Sequence, residues 1–386
     1  MCKPLERPSG RKKAAAAATE KHGFSPTLVR ATADYDAPSV VAWAFVTLCT
    51  ASFYLGPLIL ASPLLVYFIH PSAAGAAFAT AVFLACHPVR PNRKFCKWCQ
   101  LFYRVFDFHH NFTPRVNDVA RRGNRLSIVA MHPHSIIPLH GFIWSAICDQ
   151  LLPDMYGFGC TTDQALNLPV LRHLLQYMDV RSTSKRVIMS GMQSDNKNLF
   201  ILPGGVAEIF LSHRRARAGP NVQTIKARRY GLVKLALQTG AVIYPSFVFG
   251  ASDMLDQLTP AEDEAPGGRE GGGEVEPSLR SRMGRAMERL SRRIKGGLTL
   301  YYGQFGLPIP HNPRLTMVMG DPIYPIEDDE GSTRNVGGNR VTCRRIEDPT
   351  DEQIEDLMGR YLDAMEGLFE QYKVQAGYEQ EELRII

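Results

Sequence analysis

Fifty consecutive residues, 37 to 86, contain no Asp, Glu, Lys or Arg, and His70 is their only histidine. A buried helical hairpin in a soluble core rarely tolerates so long a stretch without a formal charge. About 20 apolar residues span a bilayer core, so the run is too long for one crossing and suits two. Gly56-Pro57 and Ser62-Pro63 are candidate turns, because proline ends a helix and glycine permits a reversal. The pattern predicts a hairpin with limbs Val40 to Leu60 and Leu64 to Ala85, the second kinked at Pro71. Arg11, Lys12, Lys13, Lys21 and Arg30 precede the run, and Arg90, Arg93, Lys94, Lys97 and Arg104 follow it. Cations on both flanks put both ends in the cytosol. The run starts too late and is too long for a cleaved signal peptide.

Other absences narrow the function. The eight cysteines are irregularly spaced in a chain of 386 residues, which argues against a disulfide framework. Cys96-Lys-Trp-Cys99 has no second pair at zinc-site spacing, so two free thiols are favoured over a structural zinc. No block of Lys and Arg is long enough, or mixed with enough aromatics, to argue for nucleic acid. The net charge of +6 fits an anionic membrane or a phosphate-rich ligand. No internal repeat is present.

The remainder divides simply. Residues 1 to 36 are polar and Ala-rich and read as a disordered cytosolic tail. The hairpin occupies 37 to 87. From 88 to 386 short Ile- and Val-rich runs alternate with helical patterns. Leu126 to Met131, Leu199 to Leu202, Ala241 to Phe249 and Leu315 to Met319 read as buried strands, with helices at Pro169 to Met178 and Tyr230 to Gln238. This alternation predicts an α/β domain with a mostly parallel sheet flanked by helices. Residues 261 to 276 carry six acidic residues and five glycines, and with the polar stretch 327 to 349 they read as disordered inserts. Leu279, Met283, Met287, Leu290 and Ile294 mark a basic amphipathic helix, suited to a membrane surface or to a solvated face. A capping box at Thr350-Asp-Glu-Gln353 opens the last helix. Its apolar stripe from Ile354 to Tyr372 is assigned to packing.

Three constellations carry chemistry. His132-Pro133-His134-Ser135 follows a predicted strand, where an imidazole is placed to take a hydroxyl proton and return it. Metal binding with His140 is the rival, although no HxxxH or HExxH spacing accompanies it. Next, Leu202-Pro203-Gly204-Gly205-Val206-Ala207-Glu208 runs from a strand into a Gly-Gly turn. There the backbone can approach a ligand and aim N–H groups at an oxyanion. Glu208 can orient a histidine or the acceptor hydroxyl. Third, Lys226, Arg228, Arg229 and Lys234 gather at a helix start, an arrangement that the phosphates of CoA would stabilise. A basic surface face is the plain alternative.

Together these blocks resemble the type 2 diacylglycerol acyltransferase family, and more closely its plant and algal branch. Animal members carry HPHG and plant members commonly EPHS; HPHS at 132 to 135 mixes the two. Leu202 to Glu208 looks like the family's PGGxxE block. Arg229 to Ala236 resembles RxGFVxxA, with Leu232 for Phe. Leu171 to His173, Ser182 to Lys185, Gly320 to Pro322 and the tail from Pro349 to Gly377 also match. The resemblance implies a membrane-anchored acyltransferase domain behind an N-terminal transmembrane hairpin. It implies transfer from acyl-CoA, a co-substrate and not a cofactor, to diacylglycerol in the endoplasmic-reticulum membrane, feeding lipid droplets. It implies His134 as base, His132 in support, and no metal.

Two rivals are weighed. Glycerophospholipid acyltransferases place Asp five positions after His, where this chain has Ile137 or Leu139. They also carry a cation in the substrate turn, absent from Gly204 to Ala207. Both departures favour a neutral acceptor: diacylglycerol, or alternatively monoacylglycerol or a long-chain (wax) alcohol. A lipid-droplet hairpin coat protein would need the apolar segments but not the three ordered blocks. Acyl-chain preference and self-association as a homo-oligomer are left open.

Overall fold

The computed structural model describes residues 27–113, 116, 126–211, 221–257, 286–291, 293, 299–326 and 344–386. The tail to residue 26, the acidic insert at 261–276 and residues 327–343 of the second insert lie outside the described residues. So does most of the basic amphipathic helix, of which 286–291 is helical.

Eight strands form the main sheet. They are β1 (Val29–Arg30), β2 (Phe108–Phe112), β3 (Ser127–His132), β4 (Gly157–Thr161), β5 (Val180–Ser182), β6 (Asn198–Ile201), β8 (Val242–Phe249) and β11 (Leu315–Met319). Between β6 and β8 runs β7 (Val222–Ile225), which pairs in parallel with the C-terminal β12 (Glu382–Ile385). The short β9 (Asp256–Gln257) and β10 (Tyr301–Tyr302) form an antiparallel pair. Spatial order in the main sheet is β1-β2-β11-β8-β3-β6-β4-β5. From β8 to β5 every pairing is parallel; β11 runs antiparallel to β8, and β2 parallel to β11. The sheet is thus mostly parallel, as its continuous apolar runs predict. All eight residues of β8 are buried, the mark of a strand covered on both faces.

Strand period two sorts the side chains into two cores. Val129 and Met131 of β3, with Tyr244 and Val248 of β8, face one side. That side is covered by α1 (Ser39–Ile69) and α4 (His140–Gln150). Ile128, Ala130, Ile243 and Phe247 face the other, under α7 (Tyr230–Thr239) and α8 (Asp351–Tyr372). Residue 132 therefore points toward α8 and residue 131 away from it. The capping box at Thr350 and Gln353 is formed.

The apolar segment departs from the predicted hairpin. α1 runs unbroken through Pro57 and Pro63 for 31 residues, about 46 Å at 1.5 Å per residue. The reversal falls at His70–Ala73, and α2 (Ala74–Cys86) packs back against α1. The turns expected at Gly56-Pro57 and Ser62-Pro63 are thus corrected, as are the limbs Val40–Leu60 and Leu64–Ala85. A proline in a helix frees one carbonyl, and in apolar surroundings a nearby hydroxyl can satisfy it. Ser62 does so, donating to the Ile59 carbonyl at 2.8 Å. Among the described residues α1 is the one helix long and apolar enough to span a membrane. α2, with 13 residues or about 20 Å, falls short of the ~30 Å core.

The two halves of α1 differ. Ala42, Phe45, Val46, Cys49, Thr50, Ser52 and Gly56 are buried on one face against the domain. Beyond Gly56 the helix emerges, with Leu64 63% and Phe68 77% exposed. The chain re-enters the domain through α3 (Arg93–Trp98), which packs against the later helix α5 (Leu171–Tyr177). There Arg172 donates to the carbonyls of Ala85 and His87, closing the end of α2.

Candidate active site

His132 ends β3, fully buried, with both ring nitrogens engaged. Nδ1 lies 2.9 Å from Glu208 Oε1, and Nε2 lies 3.0 Å from the Tyr361 hydroxyl of α8. A carboxylate only accepts, so Nδ1 carries the proton. Burial pushes the Tyr361 phenol up, which keeps its proton available for donation. Both nitrogens of His132 are thus engaged within the protein, and the residue does not line the cavity described below.

Glu208 sits in the first turn of the short helix α6 (Val206–Leu211), with no exposed surface. Besides His132 it accepts from the main-chain N–H of His134 and, at 2.6 Å, of Lys226. Burial alone would raise its carboxyl pKa. The His132 partner and the two main-chain donors reverse that and hold it below the ordinary carboxylate range. Gly204 makes room for this carboxyl: a Cβ there would lie 1.8 Å from the Glu208 carboxyl carbon. Gly205 turns the chain with φ +55°. Its N–H donates to the Leu202 carbonyl at 3.2 Å. The PGG turn is thus shaped to seat Glu208, which ties the His and PGG sequence blocks into one unit.

His134 differs from His132. Its Nδ1 donates to the Ser135 carbonyl at 2.9 Å, which fixes the tautomer and leaves the Nε2 lone pair as the basic site. The ring is half-buried and lines an apolar cavity. Burial lowers its pKa, against the opposing pull of the Ser135 carbonyl and Glu208, so at neutral pH it is a free base. Ser135 follows with φ +63°, a left-handed position that favours glycine. Its hydroxyl donates to the Ala251 carbonyl at 2.7 Å, anchoring the loop. Pro133 lies between the two imidazoles, joined to His132 by a cis peptide bond. His140 is buried behind them, its pKa pushed down to about 3 by burial and then by His134. Among the described residues, no group of three or more His, Cys, Asp or Glu converges in a metal-holding arrangement.

The basic block divides in two. Arg229 turns inward, donating from Nε to the Pro203 carbonyl at 3.0 Å and from Nη2 to the Gly204 carbonyl at 2.7 Å. It braces the glycine turn. Arg228 and Lys234 are exposed, Arg228 lying 3.7 Å from Glu355, and the Lys226 side chain is half-buried. Sequence reasoning missed the hydroxyl of Tyr361 and the bracing role of Arg229. Each contact joins groups far apart in the chain, where spacing carries no signal.

A cavity of about 610 Å³ opens beside His134. That lies within the ~300–1,000 Å³ of small-molecule sites. Its walls are largely apolar, with Trp144 and Phe200 stacked at 5.8 Å and Phe53 and Tyr54 contributed by α1. Gly205 and Val206 of the PGG turn also line it, so His134 and the turn face one space.

A family model described as diacylglycerol acyltransferase matches residues 78–336 and 331–386. The chain belongs to that family. It is 27% identical over 295 residues to diacylglycerol O-acyltransferase 2-like protein 6 of Bos taurus, covering 74% of this chain and 78% of the relative. Diacylglycerol O-acyltransferase 2 of Dictyostelium discoideum is 27% identical over 257 residues, covering 64% and 66%. Acyl-CoA wax alcohol acyltransferase 1 of Mus musculus is 27% identical over 265 residues, covering 65% and 67%. The chain is therefore an acyltransferase of the diacylglycerol acyltransferase family, with its His, PGG and basic blocks inside the matched region.

Proposed function

We propose that this acyltransferase esterifies the free hydroxyl of diacylglycerol with the acyl group of acyl-CoA, using His134 as general base. One observation carries the mechanism: the His134 tautomer is set by Ser135, and His134 lines the apolar cavity. The acceptor hydroxyl gives its proton to His134 Nε2 as its oxygen attacks the thioester carbonyl. Main-chain N–H groups at Gly204 and the start of α6 hold the oxyanion; the Gly205 N–H is already engaged. The C–S bond then breaks, and the departing CoA thiolate takes the proton back from His134. Glu208, with His132 and Tyr361, holds the loop in place. The turn carries no cation, which suits an acceptor without a phosphate.

Arg228, Lys234 and Lys226 are the acyl-CoA contacts in this reading. Neutralising Arg228 and Lys234 raises KM for acyl-CoA by about tenfold with kcat little changed, as for lost exposed phosphate contacts. Arg229→Ala lowers kcat instead, because it releases the turn. Steady-state kinetics with varied acyl-CoA separate the two.

The exposed half of α1 and the short α2 form a stalk that enters the endoplasmic-reticulum membrane and returns, leaving both termini cytosolic. Storage-lipid droplets are the destination of the product. Expression in cells lacking storage-lipid synthesis tests the reading: triacylglycerol in the extract supports it. Wax ester instead would favour the long-chain alcohol reading, for which the wax alcohol relative speaks. Neither product would leave a hairpin coat protein.

A further inference from the structure

Exposed residues line the cavity beside His134 where α1 leaves the domain. Pro57 of α1 both lines the cavity and is exposed. Leu58 follows, 57% exposed, where α1 leaves the domain. The mouth therefore opens beside the apolar stalk. Its other rim is the segment carrying Gln164 and Leu168. At residue 56, which has no side chain, the two rims are in contact and the cleft is shut, so its open part lies between the exposed Pro57 and Gln164. A Cβ on Gly56 would lie 2.8 Å from the Leu168 Cβ and 3.2 Å from the Pro169 carbonyl oxygen.

A pair of tyrosines stands on the cavity wall within one helical turn of this mouth. Tyr54 stacks on Tyr301 with centroids 4.4 Å apart and planes 13° from parallel. The Tyr54 hydroxyl donates to the Tyr301 carbonyl at 2.6 Å and accepts from the Tyr301 N–H at 2.7 Å. The Tyr301 hydroxyl donates to the Thr50 carbonyl at 2.6 Å. The polar atoms of the pair are thus spent on each other and on α1. What the cavity meets is a fixed aromatic stack, a rigid apolar wall.

We propose that the cleft between Pro57 and Gln164 is a side entrance through which the lipid alcohol passes from the bilayer, and that the Tyr54–Tyr301 stack sets how bulky its apolar part can be. This rests on the esterification reading and adds to it an acceptor route and a selecting wall. The entrance admits a two-chained acceptor without its leaving the apolar phase, while acyl-CoA reaches His134 from the aqueous face that bears Arg228.

The test uses the full-length chain in microsomes, with dioleoylglycerol and hexadecanol as acceptors. Gln164→Trp narrows the entrance, and the ratio of kcat/KM for dioleoylglycerol to that for hexadecanol falls about tenfold, the scale of a steric mismatch in an apolar pocket. Tyr54→Ala widens the wall and raises the same ratio. An unchanged ratio in both Gln164→Trp and Tyr54→Ala overturns the proposal. A second measurement does not depend on turnover or on the stability of any variant. A diacylglycerol carrying a photoreactive diazirine on one chain is crosslinked to the wild-type protein. Capture on peptides containing Pro57 or Gln164 supports the entrance; capture confined to other surfaces overturns it. Wild-type protein inactive toward both acceptors, yet labelled at the cleft, would sink the reaction assignment while sparing the entrance.

Discussion

His134→Ala loses acyl transfer by roughly 10²- to 10⁴-fold in kcat, the contribution of a positioned general base, while the protein stays in the membrane. The ring is half-buried at a cavity wall and makes one hydrogen bond, to the neighbouring Ser135 carbonyl. Its removal therefore disturbs little else: Glu208 still accepts from the main-chain N–H of residue 134. Microsomal activity against matched protein levels checks the result, and a variant retaining wild-type kcat would dismiss His134 as base. The pH profile gives a second handle. Burial lowers the His134 pKa, so the base form persists below the ordinary imidazole value near 6.5. The acidic limb of kcat/KM thus lies below that value, and activity is flat from there through neutrality. The sign for stability is the same. A histidine whose folded pKa is depressed favours folding above its unfolded value, and that contribution is lost as pH falls.

The strands around the site were legible because they are buried on both faces. Such strands read as unbroken apolar runs, and the run at Leu315 to Met319 coincides with β11. β4 and β5 gave no such run. Gly157 sits in β4 because a Cβ there would lie 1.9 Å from the Asn198 carbonyl oxygen, a crowding that only the neighbouring strand reveals. The histidine pair and the PGG turn were legible as separate blocks, and the structure joins them through Glu208. Tyr361 was read as one more apolar position of α8, and its ring does pack there. Helical period places it on the buried stripe but says nothing of where its hydroxyl points. Its partner His132 is 229 residues away. The turns at Gly56-Pro57 and Ser62-Pro63 were misread for a related reason. Proline predicts a helix end in water, whereas in apolar surroundings the freed carbonyl is satisfied locally and the helix continues.

Glu208→Gln tests the joined unit and lowers kcat by at least about 10²-fold, although Glu208 does not line the cavity. The carboxylate accepts from His132 Nδ1 at 2.9 Å, from the His134 N–H, and from the Lys226 N–H at 2.6 Å. An amide presents an NH₂ to one of these donors, and Gly204 packs too closely for the side chain to swing aside. One buried donor is left unpaired, at a cost of about 1–3 kcal/mol. Relief comes from moving His132 or the loop that carries His134, so the base leaves the cavity wall. KM for acyl-CoA stays near wild type, because the exposed cations lie outside this network; a merely destabilised protein would instead lose active enzyme with kcat per folded molecule unchanged. The pH dependence of stability separates the two further. Glu208 is held below its unfolded pKa, near 4.3 for a free Glu. It therefore stabilises the fold above that value and ceases to do so as pH falls through the lower, folded value. Thermal unfolding of wild type in detergent should weaken along this acid limb, and Glu208→Gln should flatten it. A variant with wild-type kcat and an unaltered acid limb would mean that the carboxylate neither holds the loop nor charges the site.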